Sequence, residues 1–167
     1  PNYRIPFRSI APYNLVSPMV GIAQGAVDAF EEQMRHRLYS RTGSPMAEAG
    51  GMQMRLAESE AEVRVARLLM ESDGREIYQR AARGEMPSKE ERARYRRDHV
   101  YVSRLCVQSV NRLFEGSGGH SIFESSELQR FHRDLHAASH HVSLFWDFMA
   151  MQYTRARLGM ELISPDL

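Results

Sequence analysis

Four histidines near the C-terminal end of the chain are the residues best suited to chemistry: His132, His136, His140 and His141. The first three recur every four residues, a spacing that places neighbours on one face of a helix, as metal ligands require. The sequence contains neither an HExxH motif nor a Glu-x-x-His pair, which zinc and di-iron helices use. We therefore expect a solvated or interface histidine stripe, with no bound metal.

His141 differs from the other three because it flanks an apolar seam that contains Ala138, Val142 and Phe145. A ring beside such a seam is partly desolvated, so its pKa can move across neutral pH and the group can serve as an acid or base. Spacing alone favours the plainer interpretation, a hydrogen-bonded interior histidine. Asp134 lies two turns earlier, too far along the helix to orient the ring, so a partner would have to come from another helix.

A glycine-rich turn precedes these histidines, with the sequence GSGGHS over residues 116–121. Its glycines permit positive φ and a close backbone approach to a polar ligand, and Ser117 and Ser121 offer hydroxyls. A helix C-cap with a tight connection would explain the same glycines without any ligand. The turn completes neither a dinucleotide-binding fingerprint nor a P-loop, and the chain lacks a nucleophile elbow.

Prolines open the chain, three in the first twelve residues, and they predict an extended linker over residues 1–16. Ser17 followed by Pro18 fits a cap and a first helical position, so we expect the first helix to begin there and run toward Leu38. Apolar residues at seven-residue intervals from Leu56 to Ile77 predict a second helix that ends by Gly84.

A third helix is predicted after Ser88, a cap residue followed by two glutamates that favour the helix dipole, and Gly116 should end it. Apolar residues then alternate in steps of three and four without interruption, which predicts one continuous fourth helix: Leu128, Phe131, Leu135, Ala138, Val142, Phe145 and Met149. Four helices with short connections predict an all-α, antiparallel up-down four-helix bundle over residues 17–162, with a tail over 163–167.

Charge and composition exclude several classes of protein. The 22 basic and 21 acidic residues give a net charge of +1, which provides no field that favours nucleic acid or an anionic membrane. The single cysteine, Cys106, excludes an internal disulfide, and no apolar run approaches the roughly 20 residues of a membrane span. We expect a cytoplasmic protein. The chain begins with Pro1 and not with Met, so we also expect that an upstream part is missing.

The run LFEGSGGHSIFESSELQRFHRDLHAASHH over residues 113–141, followed by VSLFWD, resembles the C-terminal helical domain of flavin-dependent monooxygenases with the acyl-CoA dehydrogenase fold. These are the oxygenase components of two-component systems, of which 4-hydroxyphenylacetate hydroxylase is an example. The segment SPMVGIAQGAVDAFEEQMRHR, over residues 17–37, is similar to the first helix of that domain. The resemblance extends over residues 6–162.

The resemblance implies roles for individual residues. His141 falls where these oxygenases keep a histidine near the reactive edge of the flavin and the substrate, as a base or a hydrogen-bond partner. Cofactor contacts would come from the turn, often toward a neighbouring subunit, through Ser117, Gly118, Gly119, His120 and Ser121. Arg130, Arg133 and Asp134 match the family's LQR-x-x-RD segment, which is interpreted as structural and inter-subunit.

The implied function is hydroxylation of an aromatic or polycyclic substrate with O2 and reduced flavin, either FMN or FAD, delivered by a separate reductase. The family's N-terminal helical domain and its β-domain have no counterpart in this sequence, so we expect the bundle alone to be inactive and to bind flavin weakly or not at all. A homo-oligomer, dimer or tetramer, is expected through the bundle.

Two alternatives remain open. One is the C-terminal domain of an acyl-CoA dehydrogenase, an FAD enzyme that needs a carboxylate base, for which Glu124 is a candidate only by its position in a loop. The other is a non-catalytic helical oligomerisation module.

Overall fold

The computed structural model describes residue 5, residues 7–39 and residues 42–164. These residues form helices and one isolated bridge between Leu38 and Pro45, and no β-strand occurs among them. The helices, in order, are α1 (Phe7–Ile10), α2 (Tyr13–His36), α3 (Gly50–Arg83), α4 (Lys89–Ser117), α5 (Glu127–Ser139) and α6 (Trp146–Arg157). The predicted all-α fold class is therefore confirmed.

The first long helix begins earlier than its sequence signals predict. Helix α2 starts at Tyr13, and Pro18 lies inside it. Ser17 does not cap the helix; its hydroxyl donates to the Tyr13 carbonyl at 2.6 Å. A proline this close to the start costs one backbone hydrogen bond, whereas the extra turn buries Val16 completely. The expected extended linker is thus wrong for residues 7–10 and 13–16, which are helical, while residues 1–4 and 6 lie outside the described part of the chain.

The boundaries of α3 and α4 agree with the sequence signals. Gly84 follows α3 in the left-handed region, with φ of 77°, the conformation expected of a glycine that ends a helix. Ser88 caps α4 through a capping box, in which its hydroxyl accepts from the Glu91 N–H at 3.2 Å and its own N–H donates to the Glu91 carboxylate at 2.8 Å. Helix α4 ends at Ser117, one residue beyond the predicted stop.

Helix α4 lies at the centre of the bundle and contacts α2, α3, α5 and α6. The core between these helices is apolar, and its largest fully buried members include Phe30, Leu113, Leu128 and Leu135. Gly25 allows α2 and α5 to approach closely, since a Cβ atom there would lie 2.9 Å from the Phe131 ring. These contacts form the bundle that holds α5 in place.

The predicted fourth helix is not continuous. It is divided into α5 and α6 by a break that contains a short 3-10 turn, Val142–Leu144. Both parts run along α4: the His136 Nε2 lies 2.7 Å from the Asn111 Oδ1 on the α5 side, and the Arg157 guanidinium lies 3.2 Å from the Glu90 carboxylate on the α6 side. The up-down arrangement holds, with its fourth arm in two pieces.

Local hydrogen bonds explain the break. The Ser139 hydroxyl donates to the His136 carbonyl at 2.9 Å, and the His140 ring also contacts that carbonyl. His141 then takes an extended conformation, with ψ of 138°. Such side-chain bonds compete with the helical ladder. The apolar register shifts as a result: Val142 and Phe145, predicted as core residues, are 79% and 58% exposed, whereas Leu144 is buried.

Candidate functional site

The two regions that the sequence singles out lie at opposite ends of α5. The turn over residues 117–121 precedes that helix, and His141 follows it. At 1.5 Å per residue, the 13 residues of α5 separate them by about 20 Å. Within one chain, the structure therefore does not bring His141 together with the predicted cofactor-binding turn.

The turn is held together by its own hydroxyls. Ser117 is buried, and its hydroxyl lies 2.8 Å from the Gln33 side-chain oxygen and 3.1 Å from the Leu113 carbonyl, either of which can accept its proton. Ser121 is buried as well, and its hydroxyl contacts the Phe114 and Gly118 carbonyls at 3.2 and 2.6 Å. Because these groups are satisfied internally, only part of the turn faces outward.

The outward part of the turn consists of Gly118, Gly119 and His120. Gly118 has φ of 61° and ψ of −155°, a region that is accessible almost only to glycine, and it caps α4. No atom would contact a Cβ atom at Gly119, so that position is open. The exposed His120 ring lies 6.1 Å from the Phe123 ring. A ligand from outside this chain can approach the turn at these residues.

His141 lies in the break between α5 and α6, and its ring is exposed. The expectation of a partly desolvated ring beside the apolar seam is therefore wrong, because the helix ends before His141 and turns the side chain away from the core. Its Nδ1 accepts a hydrogen bond from the Ser143 N–H at 3.1 Å. This bond requires a lone pair on Nδ1, so the neutral ring carries its proton on Nε2.

A crevice of about 470 Å³ opens beside His141. Helices α1, α2 and α4 and the break all contribute to its walls. Its lining residues are Phe7, Arg8, Ala11, Pro12, Asn14, Leu15, Arg96, His141 and Ser143. A second crevice of about 390 Å³ shares Arg8, Arg96 and Ser143 with the first. We call the first space the His141 crevice and the second the Phe145 crevice.

Arg96 is the residue in this site that sequence reasoning missed. Its Nε is buried without a hydrogen-bond partner, and burial, together with the nearby Arg8, lowers the pKa of its guanidinium. Its helical spacing could have identified it. Arg96 lies three residues before His99 and four before Val100, and both of these residues are buried, so Arg96 lies on the same buried side of α4. Arg96 and His141 line the same crevice from two elements, α4 and the break.

The histidine stripe is a packing feature of the α4–α5 contact. The His132 ring stacks on Phe114 with centroids 4.2 Å apart, and the His136 ring lies 4.4 Å from that of His132. Across the described residues, no three His, Cys, Asp or Glu side chains are grouped so that they could hold a metal ion. Glu124, the candidate base of a dehydrogenase, is exposed beyond the turn, at the far end of α5 from His141.

None of the helices in the described part of the chain has the length and apolar character that a bilayer crossing requires.

Comparisons with known proteins agree with this architecture. The oxygenase component of p-hydroxyphenylacetate 3-hydroxylase from Acinetobacter baumannii is 32% identical over 156 residues, which cover 93% of this chain and 37% of that protein. The crystal structure of the HsaA monooxygenase from M. tuberculosis superposes with a TM-score of 0.86 at 27% identity, covering 96% of this chain and 42% of that one.

A further solved structure supports the fold alone. XiaF from Streptomyces sp., in complex with FADH2 and glycerol, has a TM-score of 0.90 at 20% identity and covers 96% of this chain and 41% of its own. The chain therefore spans about two fifths of the length of the proteins that it matches. Residues 13–146 match the family described as acyl-CoA dehydrogenase, C-terminal domain, and the chain belongs to that family.

Proposed function

We propose that this chain is the C-terminal helical domain of the oxygenase component of a two-component flavin-dependent monooxygenase, which hydroxylates an aromatic or polycyclic substrate. The observation that carries the proposal is a crevice with His141 at its edge in a chain 32% identical to such an oxygenase component. A separate reductase would supply the reduced flavin. We place the protein in the cytoplasm, where the buried free thiol of Cys106 stays reduced.

The role of His141 follows from its hydrogen bond to Ser143. With Nδ1 accepting from the Ser143 N–H, the neutral ring presents Nε2–H as a donor. His141 would therefore donate a hydrogen bond to an oxygen of the substrate or of the bound cofactor. Acting as the base toward a phenol would require Nε2 to be deprotonated, and thus the loss of the Ser143 bond.

The described residues fit a flavin only in part. Arg96 carries a buried, unpartnered Nε at the crevice, and Gly119 offers open backbone in the turn. When bound, reduced FMN or FAD would supply oxygen activation, while the protein orients the substrate and excludes water. We propose that the domain alone holds flavin weakly or not at all, because the chain spans about two fifths of the length of the proteins that it matches.

The separation along α5 supports a homo-oligomer. About 20 Å is too far for His141 and the turn over residues 117–121 to act on the same reacting atoms of one flavin. We propose that Ser117, Gly118, Gly119, His120 and Ser121 contribute to the site of a neighbouring subunit, in a dimer or tetramer. Since the hydroxyls of Ser117 and Ser121 are bonded internally, the contact itself would come from Gly119 and His120.

The crevice favours an oxygenase over a dehydrogenase. An acyl-CoA dehydrogenase needs a carboxylate base at its reacting carbon, and the described residues that line the His141 crevice include no carboxylate. Acyl-CoA added to the complete flavoprotein should leave the flavin absorbance unchanged; bleaching would favour the dehydrogenase. A non-catalytic oligomerisation role is compatible with the isolated bundle, and a strict monomer in sedimentation would contradict that role.

The test of the proposal is His141→Asn in the complete oxygenase with its reductase. Removing a general acid, base or donor costs roughly 10²-fold or more in rate, so hydroxylation should fall by about that factor while flavin affinity changes little. His36→Asn is the matched control, because that exposed ring lies on α2 and pairs with Glu32 of the same helix. Equal turnover in the His141 and His36 variants would remove the catalytic role.

A further inference from the structure

Arg96 differs from Arg94 and Arg97 on the same helix in having no acidic partner within the described part of the chain. Arg94 pairs with Glu76, and Arg97 donates to the Asp98 carboxylate at 2.8 Å. Among the described residues, no carboxylate forms an ion pair with Arg96, and its Nε has no hydrogen-bond acceptor. A guanidinium that is partly removed from water is costly unless an anion or hydrogen-bond acceptor compensates it.

A second cation makes the same space more positive. Arg8 lines both the His141 crevice and the Phe145 crevice, as Arg96 does. Arg8 lies close enough to Arg96 to disfavour the charged form of the Arg96 guanidinium. Two like charges that converge on one cavity favour a ligand with negative charge, because such a ligand relieves their mutual repulsion.

The rest of the lining indicates what the ligand carries besides its charge. Apolar walls come from Phe7 and Leu15 in the His141 crevice, and from Phe145 and Phe148 in the Phe145 crevice. Phe7 and Phe145 are 75% and 58% exposed, so both rings have faces available for contact. A cavity of this size, apolar with a few convergent polar groups, is typical of small-molecule sites.

We propose that Arg8 and Arg96 form an oxyanion-binding cradle that takes the carboxylate or phosphate of a small aromatic ligand whose ring lies toward His141. The proposal deepens the proposed function, since it specifies the class of ligand for the same crevice. A guanidinium offers paired N–H donors that match two oxygens of a carboxylate or phosphate. Anchoring the anion at Arg96 fixes which end of the ligand faces His141.

Ligand binding by the 167-residue chain tests the cradle without any turnover. NMR titrations would compare 4-hydroxyphenylacetate with its neutral amide, and FMN with riboflavin, so that a carboxylate source is distinguished from a phosphate source. We expect saturable binding of at least one anionic probe and at least about tenfold weaker binding of its neutral partner, the scale of a hydrogen bond to a charged group.

Substitutions then locate the binding. Arg96→Gln should weaken the anionic probe about tenfold or more and leave the neutral probe unchanged. Arg8→Gln should act in the same direction, and because Arg8 is exposed, this variant tests the cradle even if Arg96→Gln does not fold. Arg67→Gln changes an exposed arginine of α3 that lines neither crevice, so it removes the same charge and should have no effect.

Three results would each overturn the cradle: equal affinity for the anionic and neutral probes, an equal effect of Arg67→Gln, or no saturable binding of either anion. Preference for the arylacetate identifies a substrate carboxylate, and preference for FMN identifies the flavin phosphate. Failure of the oxygenase proposal would appear elsewhere, as unchanged hydroxylation in the His141→Asn enzyme, so the two outcomes are distinguishable.

Discussion

The two ends of α5 are both rich in glycine, serine or histidine, yet they use those residues differently. At the N-terminal end, the hydroxyls of Ser117 and Ser121 are bonded to carbonyl and amide oxygens of the same bundle. At the C-terminal end, the ring of His141 makes one hydrogen bond to the described residues, which its Nδ1 accepts from the Ser143 N–H, and its Nε2 lies beside the crevice as an available donor. A polar residue type is therefore weak evidence for function until its hydrogen bonds are counted.

The difference has an energetic basis. A buried hydroxyl that lacks a partner costs about 1–3 kcal/mol, so the folded turn satisfies its serines before any ligand is present. An exposed imidazole is solvated and incurs no such cost, so it can keep an open donor for a substrate. Loss of the hydroxyls in the turn should therefore lower stability, whereas loss of the His141 ring should lower activity.

Subunit complementation gives the largest expected effect. If the turn and His141 serve different sites of an oligomer, His141→Asn and Gly119→Trp would each inactivate every site in their own homo-oligomers. The tryptophan occupies open space at Gly119 and leaves the bundle intact. Random pairing of the two variants would restore about a quarter of the sites, since half of the pairs are mixed and each mixed pair has one intact site.

Turnover of the refolded mixture, relative to the wild type at equal protein, measures this recovery. Each variant refolded alone is the control. Activity no higher than the mean of the two controls would mean that both residues act within one subunit, or that the turn has no part in the site.

The conformation of Gly118 gives the next largest effect, and it should concern stability. Its φ of 61° and ψ of −155° are strained for any residue with a Cβ atom, although no atom would contact that Cβ. Gly118→Ala should therefore lower the free energy of unfolding by roughly 1–3 kcal/mol. Urea denaturation measures it. Gly119→Ala is the matched control, and an equal loss there would show that backbone strain at Gly118 is not the cause.

Most of the fold could be predicted from the sequence, because at most helix ends the local sequence signals agree with the tertiary packing. Gly84 and Ser88 mark their helix ends by backbone geometry and capping, which act over a few residues. The early start of α2 and the break before His141 could not be predicted in this way. Burial of Val16 outweighs the proline signal, and serine and histidine side chains interrupt an apolar pattern that looks continuous.

The candidate site was predicted less completely than the fold. His141 could be identified from the sequence, but its environment could not, because the crevice is made by α1, α2 and α4, which are distant in sequence. Arg96 is one of four arginines within six residues, from Arg92 to Arg97. Only the three-dimensional arrangement separates an arginine with an acidic partner from one without.

Loss of the Ser121 hydroxyl should have a smaller effect than the Gly118 substitution. Ser121→Ala removes the donor that contacts the Phe114 and Gly118 carbonyls, so unfolding should become easier by about 1 kcal/mol. Thermal denaturation measures it, with exposed Ser125→Ala as the control. If ligand binding changed while stability did not, the turn would be a functional site of this subunit rather than a structural cap.

The smallest effect concerns His132, which lies in the middle of α5, between the internally bonded turn and the exposed His141. Burial, and secondarily His136, lowers the pKa of the His132 imidazole in the folded protein. The unfolded chain therefore takes up a proton first as pH falls through about 6.5, and the stability contributed by the neutral ring is lost below that pH. His132→Phe keeps an aromatic ring against Phe114 and removes this titration.

The free energy of unfolding at pH 7.5 and at pH 5.5 should consequently differ less in His132→Phe than in the wild type. Denaturant titrations at the two pH values measure the difference, with His120→Phe, an exposed ring in the turn, as the control. A wild-type pH dependence retained in full by His132→Phe would mean that the partly buried ring does not titrate differently on folding. The His132 ring would then be more exposed to solvent than its stacking on Phe114 indicates.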